Sequence, residues 1–192
     1  MIIWVAGSPG VGKSTVGRRL ARSISFEFID LPKLLTTEGL VESYDEVRDA
    51  WTVNPKEVSK LIPRRVRGDC VLSSHFVAPV KGAAVKCIVL RLNPLALTTR
   101  LKRRGYSSLK TAENVEAEFL GVVYSEAVSS LGRRRVFQLN TSGKKVEHIV
   151  DRCVKIVKGF DEGDRVDWLT QLPEDELEKL LSFIAKYRGR GL

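Results

Sequence analysis

The sequence predicts an α/β protein, a three-layer α/β/α arrangement on a parallel five-stranded sheet. Three observations carry this. Short apolar runs at residues 2–6, 26–30, 70–74, 85–92 and 135–139 alternate with segments whose apolar residues recur at helical spacing, the pattern of repeated strand–helix units. The first run feeds Gly7-Ser8-Pro9-Gly10-Val11-Gly12-Lys13-Ser14, which fits G-x-x-x-x-G-K-[ST] and opens a helical pattern at residues 15–21. This strand–loop–helix context marks the P-loop NTPase fold. Parallel sheets bind ligands at the carboxyl ends of their strands, and the glycine loop, Asp30, His75 and the turn at 140–143 all fall at such ends.

The elements follow in order. Ile2-Ile3-Trp4-Val5-Ala6 is the first strand, and Phe26-Glu27-Phe28-Ile29-Asp30 the second. Residues 31–54 are polar and read as irregular. A helix begins at Pro55 with Val58, Leu61 and Ile62 inward, and Gly68-Asp69 breaks it. Residues 70–74 form a buried strand ending near His75, and 85–92 form another. Asn93-Pro94 opens a helix to about Arg103, with Leu95, Leu97 and Leu101 inward, and Gly105 ends it. One long helix is expected from about 110 to 130, with Val115, Phe119, Val122 and Val123 among its inner positions. The last strand, 135–139, turns at 140–143 into a helix over 144–158.

Residues 160–192 differ in character. Asp161-Glu162-Gly163-Asp164 is an acidic, hinge-like turn, and Pro173 starts a helix with Leu177, Leu180, Leu181, Ile184 and Tyr187 on one stripe. Glu174, Asp175 and Glu176 fill its first turn and Lys186, Arg188 and Arg190 its end, matching the helix dipole. The expected division is 1–159 for the main domain and 160–192 for a helical extension. The extension either packs on the parent domain or serves a second chain.

Composition sets the class. At 192 residues and 43% hydrophobic content the chain builds one real core, and no apolar run approaches the ~20 residues of a membrane span. The N-terminal run is too short for a signal peptide, so a cytoplasmic protein is expected, with no membrane partner. Cys70, Cys87 and Cys153 lie in apolar contexts with no C-x-x-C spacing, so buried thiols are expected rather than disulfides or zinc. The net charge of +9 is clustered at Arg64, Arg65 and Arg67, at Arg100, Lys102, Arg103 and Arg104, and at Arg133, Arg134 and Arg135. Either these are solvated helix ends plus a nucleotide-closing lid, or some of them also contact RNA or ribonucleoprotein.

The chemistry starts at the loop. Glycines let the backbone wrap an anion closely, successive N–H groups form an anion nest, and the helix N-terminus adds its partial charge. Lys13 reaches the β- and γ-phosphates of ATP, Ser14 holds Mg²⁺ through its hydroxyl and Thr15 contacts the α-phosphate. The basic segment 98–106 is suited to a lid that neutralises a transferring phosphoryl group, or is simply a basic helix end. Residues 34–53 carry Asp45 and Arg48, and Arg48 is the best candidate for an acceptor phosphate; a charged surface loop is the alternative. His75 ends its strand beside the loop, in a functional or a structural role.

Together these segments resemble one family, the atypical small adenylate kinases that double as ribosome-assembly ATPases in archaea and the eukaryotic nucleus. The resemblance rests on residues 7–15, Tyr44-Asp45-Glu46, His75, Val89-Leu90-Arg91, Arg100-Leu101 and Arg104-Gly105-Tyr106. Most specific is Glu113-Asn114-Val115-Glu116-Ala117-Glu118-Phe119-Leu120-Gly121 with Glu126-Ala127. The resemblance covers about 1–158 and implies a fold of nucleoside monophosphate kinase type. It implies transfer from ATP to AMP with Mg²⁺, some ATPase activity, an acceptor region at about 30–53 and a lid at about 103–113. Gly10, Gly12, Lys13, Ser14 and Thr15 would bind ATP, with Arg104 reaching it from the lid. It further implies a small-subunit platform ribosomal protein and the pre-ribosomal particle as partners, and a part in rRNA maturation. The alternative it leaves is a nucleotide-gated assembly ATPase with little kinase activity. A small P-loop kinase for shikimate or dephospho-coenzyme A is argued against by the Arg-Gly-Tyr and Glu-Asn segments. The chain departs from the family in two places. Ser73-Ser74-His75 stands where the family has Asp-x-His, so turnover is lower or Asp69 or Asp30 partly substitutes. The family ends near 160, which makes the C-terminal helix an addition.

Overall fold

The structure is a computed structural model; it describes residues 1–40, 43–45, 50–80 and 82–188, and only the backbone at 43–45, 50–52 and 188. The chain runs β1 (Ile2–Ala6), α1 (Lys13–Ser23), β2 (Glu27–Asp30), α2 (Leu31–Thr37), β3 (Ser43–Asp45), β4 (Ala50–Thr52) and α3 (Pro55–Arg65). It continues through β5 (Cys70–Ser73), β6 (Val85–Arg91), α4 (Pro94–Arg103), α5 (Ser108–Phe119), α6 (Val122–Leu131) and a 3₁₀ turn at Arg133–Arg135. It closes with β7 (Val136–Asn140), α7 (Val146–Lys158), α8 (Trp168–Gln171) and α9 (Glu174–Arg188).

Five strands pair in parallel in the order β2-β5-β1-β6-β7. The strand order reverses direction at β1, and the crevice at its carboxyl end is where such sheets bind ligands. Both faces are covered over the central strands, so β1 is wholly apolar and β5 and β6 are mainly so. Alternation then divides them: Ile3, Val5, Ile88 and Leu90 enter one core, while Ile2, Trp4, Cys87 and Val89 enter the other. The first core is closed by α1, α4, α5, α7 and α9 residues, the second by α2, α3 and α6 residues. Cys70, Cys87 and Cys153 are buried free thiols, as expected, and burial raises all three.

The expectations for 31–54 and 110–130 are corrected. The segment 31–54 is not irregular throughout. Leu31 and Leu35 are buried one turn apart and Pro32 sits in the first turn, which makes 31–37 a helix; β3 and β4 pair antiparallel beyond it. The long helix at 110–130 is two helices. Gly121 adopts φ +68°, and a Cβ there would lie 3.3 Å from the Arg91 guanidinium. The left-handed turn lets α6 leave the axis of α5 and pack on the second core.

The C-terminal segment is tied to the sheet. Arg152 on α7 pairs with Asp161 at 2.8 Å and with Asp164 at 2.8 Å, and the Asp164 N–H donates to the Gln138 carbonyl at 2.7 Å. The acidic turn is therefore an anchored corner. α9 packs on α5 and α4, with Leu180 and Ile184 buried in the first core. Leu181, expected on the apolar stripe, is exposed, and Phe183 packs against the core instead. No helix among the described residues is long and apolar enough to cross a membrane.

Candidate functional site

The loop at 7–12 hangs from the carboxyl end of β1 and closes onto α1. Gly10 has φ +88°, and a Cβ there would come within 2.9 Å of both Leu97 and Leu101. The backbone conformation requires glycine, and a Cβ would also press on the α4 leucines under the loop. Gly12 caps α1 with no side-chain hydrogen bond, and no acidic residue lies in the first turn. The first-turn N–H groups are left without a local carboxylate competitor, the condition for anion binding at a helix start.

Lys13 folds back so that its ammonium donates to the Ser8 carbonyl at 2.9 Å. Burial lowers its pKa to about 8; Glu118 and Asp30 oppose the shift and Arg104 reinforces it. The Ser8 hydroxyl donates to Glu118 Oε2 at 2.8 Å. Glu118, on α5, forms a buried ion pair with Arg91 at the end of β6, Nε to Oε1 at 2.8 Å. Glu118 Oε1 also accepts from the Leu92 N–H at 3.1 Å and the Trp168 indole N–H at 3.2 Å. Arg91 further donates to the Glu118 carbonyl at 2.7 Å and to the Gln138 side chain.

A cavity of about 860 Å³ opens over the loop. Gly10, Lys13 and Ser14 line its floor, with Asp30, Ser73, Ser74 and His75 from the ends of β2 and β5. The Ser14 and Ser73 hydroxyls are 3.4 Å apart. Arg104, just past α4, and Tyr106 line the same space, with Glu113, Asn114 and Leu120 from α5 and its end. Leu35, Val53 and Phe76 extend it away from the loop. Burial, then the Lys13 charge, holds His75 below its ordinary pKa, but its side chain is open to the cavity, where solvent screens such effects.

Of the sequence-predicted residues, Gly10, Lys13, Ser14, His75 and Arg104 meet in this cavity. Gly12 caps the helix behind the loop, and Thr15 is exposed on α1 outside the cavity lining. Asp45 is placed by its backbone only, opposite Ala50; Arg48 lies outside the described residues. Of the two carboxylates offered for the missing acid at 73, Asp30 lines the cavity and is paired in register with Ser73. Asp69 is at the opposite end of the strands, bonded to the Met1 ammonium. Sequence reasoning missed Ser8, Glu118 and Trp168 as parts of one site. The available signal was Arg91, a charge ending an apolar run, since a buried charge demands a buried partner.

Residues 3–121 match the family described as "AAA domain". The chain is 34% identical over 186 residues to a "Putative adenylate kinase" of Sulfurisphaera tokodaii, covering 97% of this chain and 94% of that protein. It is 32% identical to a protein of the same description from Thermococcus onnurineus, covering 96% and 97% respectively. The similarity takes in the C-terminal segment, which an addition peculiar to this chain would not give. Among solved structures, a sugar kinase from Janibacter sp. HTCC2649 superposes with a TM-score of 0.54 at 14% identity, over 85% of this chain and 98% of that one. A sulfotransferase from Alicyclobacillus acidocaldarius superposes at 0.51 and 16% identity, over 98% and 92%. The fold is that of the P-loop NTPases, and two chemistries on one fold show that the fold does not choose the reaction.

Proposed function

The chain belongs to the AAA-domain family matched by residues 3–121 and to the family of its archaeal relatives, and from that premise we propose that it is a nucleoside monophosphate kinase. It moves the γ-phosphoryl group of ATP to AMP, giving two ADP. The observation that carries this reading is the cavity, which continues past the anion nest toward Leu35, Val53 and Phe76. At about 860 Å³ it is near the top of the ~300–1,000 Å³ range for a small-molecule site, and it has room for an acceptor beside the ATP phosphates.

An AMP phosphate oxygen attacks the γ-phosphorus in line, the bond to the bridging oxygen breaks, and ADP leaves. The protein's part is positioning and charge. The N–H groups of the loop through Gly10 and Gly12 would hold the β-phosphate and Lys13 would neutralise charge between β and γ, while Thr15, outside the cavity lining, keeps the α-phosphate contact only on the resemblance. Arg104 closes from the lid at about 103–113 as negative charge moves to the leaving oxygen. Arg48 and Asp45 hold the acceptor within 30–53, and His75 orients groups at the strand end. The domain then runs over 1–159 and the helical extension over 160–192, whose Leu180 and Ile184 pack into the first core. Mg²⁺ suits the donor set, since the hydroxyls of Ser14 and Ser73 and the Asp30 carboxylate are hard oxygen donors in one cavity. Bound there it would neutralise charge on the phosphates.

Water replaces AMP slowly, which gives ATPase activity. The second reading, a nucleotide-gated ribosome-assembly ATPase working in the cytoplasm, draws on the resemblance, on Ser73 in place of an acid and on the exposed arginines at 64, 65 and 133–135. Its partners would be a small-subunit platform protein, the pre-ribosomal particle and rRNA. The test is ATP consumption with Mg²⁺, with and without AMP, resolving ADP from phosphate. Two ADP per AMP consumed with little phosphate supports the kinase. Phosphate release indifferent to AMP overturns it in favour of the ATPase.

A further inference from the structure

We infer that Glu118 is a positioning residue for the phosphate loop, and that through it Trp168 makes the C-terminal segment part of the ATP grip. The inference rests on the reading of the loop as an ATP site, and it adds a control that neither the loop motif nor the acceptor region contains.

The argument begins with burial. Glu118 and Arg91 are 2% and 3% exposed, so their charges persist only because each is paired and hydrogen-bonded. The two carboxylate oxygens are used differently. Oε1 takes three donors, from Arg91, the Leu92 N–H and Trp168, none of them on the loop. Oε2 takes the Ser8 hydroxyl at 2.8 Å. One oxygen fixes the carboxylate to the scaffold and the other holds the loop.

If Ser8 moved away, Oε2 would lose a donor in a place water does not reach. A lost partner for a buried charge is costly, so the loop is held in one conformation before any ligand arrives. Ser8 passes the constraint on, because its carbonyl accepts the Lys13 ammonium. The Ser8 hydroxyl is committed to Glu118 and is not a phosphate ligand. Trp168 contributes twice: its N–H holds Oε1, and its ring stacks 5.9 Å from the Arg91 guanidinium. Residue 168 lies beyond the AAA-domain match, which ends at 121. The grip on phosphate therefore includes a residue from outside that match.

Three full-length variants test this: Ser8→Ala, which deletes the hydroxyl, Ser8→Thr, which restores it, and Trp168→Phe, which keeps the apolar ring and removes the N–H. Affinity for a fluorescent ATP derivative is titrated well below each variant's thermal midpoint, and steady-state kinetics are run alongside. Ser8→Ala is expected to weaken ATP binding about tenfold and Trp168→Phe about threefold, with Ser8→Thr near wild type. The defect should appear in KM for ATP more than in kcat, a split that loosened packing alone would not produce. Wild-type affinity in both Ser8→Ala and Trp168→Phe overturns the inference, as does a loss in Ser8→Ala that Ser8→Thr fails to restore. A wild-type chain that binds no ATP overturns the loop reading and this inference together. Wild-type ATP binding with turnover indifferent to AMP overturns only the kinase, and the variants still decide the role of Glu118.

Discussion

In the proposed reaction most of the chemistry turns on Lys13. Its ammonium is desolvated against the Ser8 carbonyl, and burial lowers its pKa to about 8. Phosphate favours the charged form, so ATP binding takes up a proton above that pH. The affinity for ATP should be flat below about pH 7 and fall above pH 8, approaching a tenfold loss per unit. Lys13→Arg, charged throughout, should bind more weakly but lose that slope in the same titration. Lys13→Ala should reduce ATP turnover at least about tenfold, because it removes a charge whose contact strengthens in the transition state. Arg104 is exposed where it lines the cavity. Arg104→Ala should therefore lower kcat/KM while leaving the thermal midpoint within a degree or two of wild type, about 0.5 kcal/mol or less. The Lys13–Ser14 spacing was legible from the sequence because the loop is local. The bond from Ser8 to Glu118 was not, because it joins residues 110 positions apart.

At the scale of elements, the strands were read closely because burial on both faces leaves an apolar run that few other structures explain. The helices were read less well where a single residue decides. Gly121 interrupts an apolar pattern that would otherwise carry on through 130, and only its place against Arg91 shows why the break is needed. Gly121→Ala should cost about 1–2 kcal/mol from the left-handed backbone alone. That corresponds to about 2–8 °C in the thermal midpoint for a domain of this size, measurable by calorimetry. A midpoint equal to wild type would mean that α5 and α6 can join into one helix.

At the scale of the molecule, the C-terminal segment closes one of the two cores. Trp168, Leu172, Leu180 and Ile184 are each less than 9% exposed. Burying four such side chains contributes on the order of 6–12 kcal/mol, comparable with the whole stability of a typical domain. A chain ending at residue 159 should therefore lose its cooperative melt and elute as aggregate or expanded monomer in size exclusion. The acidic corner adds a pH dependence. Hydrogen bonds from Arg152 hold the Asp161 carboxyl below its ordinary range. The stability it lends is present above that range and is lost as the pH falls through the lowered value. Acid should loosen the C-terminal segment, visible as a falling thermal midpoint below about pH 4, and Arg152→Ala should flatten that dependence.

By itself the sequence determined the strand–loop–helix, the parallel α/β class and the identities of Gly10, Lys13 and Ser14, because each is written in contiguous residues and in periodicities of two and 3.6. Only the tertiary structure decided which carboxylate faces the loop. Asp30 and Asp69 are equally plausible as letters, but β2 pairs in register with β5 and brings Asp30 beside Ser73, while Asp69 is left at the far end of the sheet. Only the tertiary structure, likewise, joined Ser8, Arg91, Glu118 and Trp168. Four residues spread over 160 positions meet because a buried charge must find its partners wherever the fold brings them.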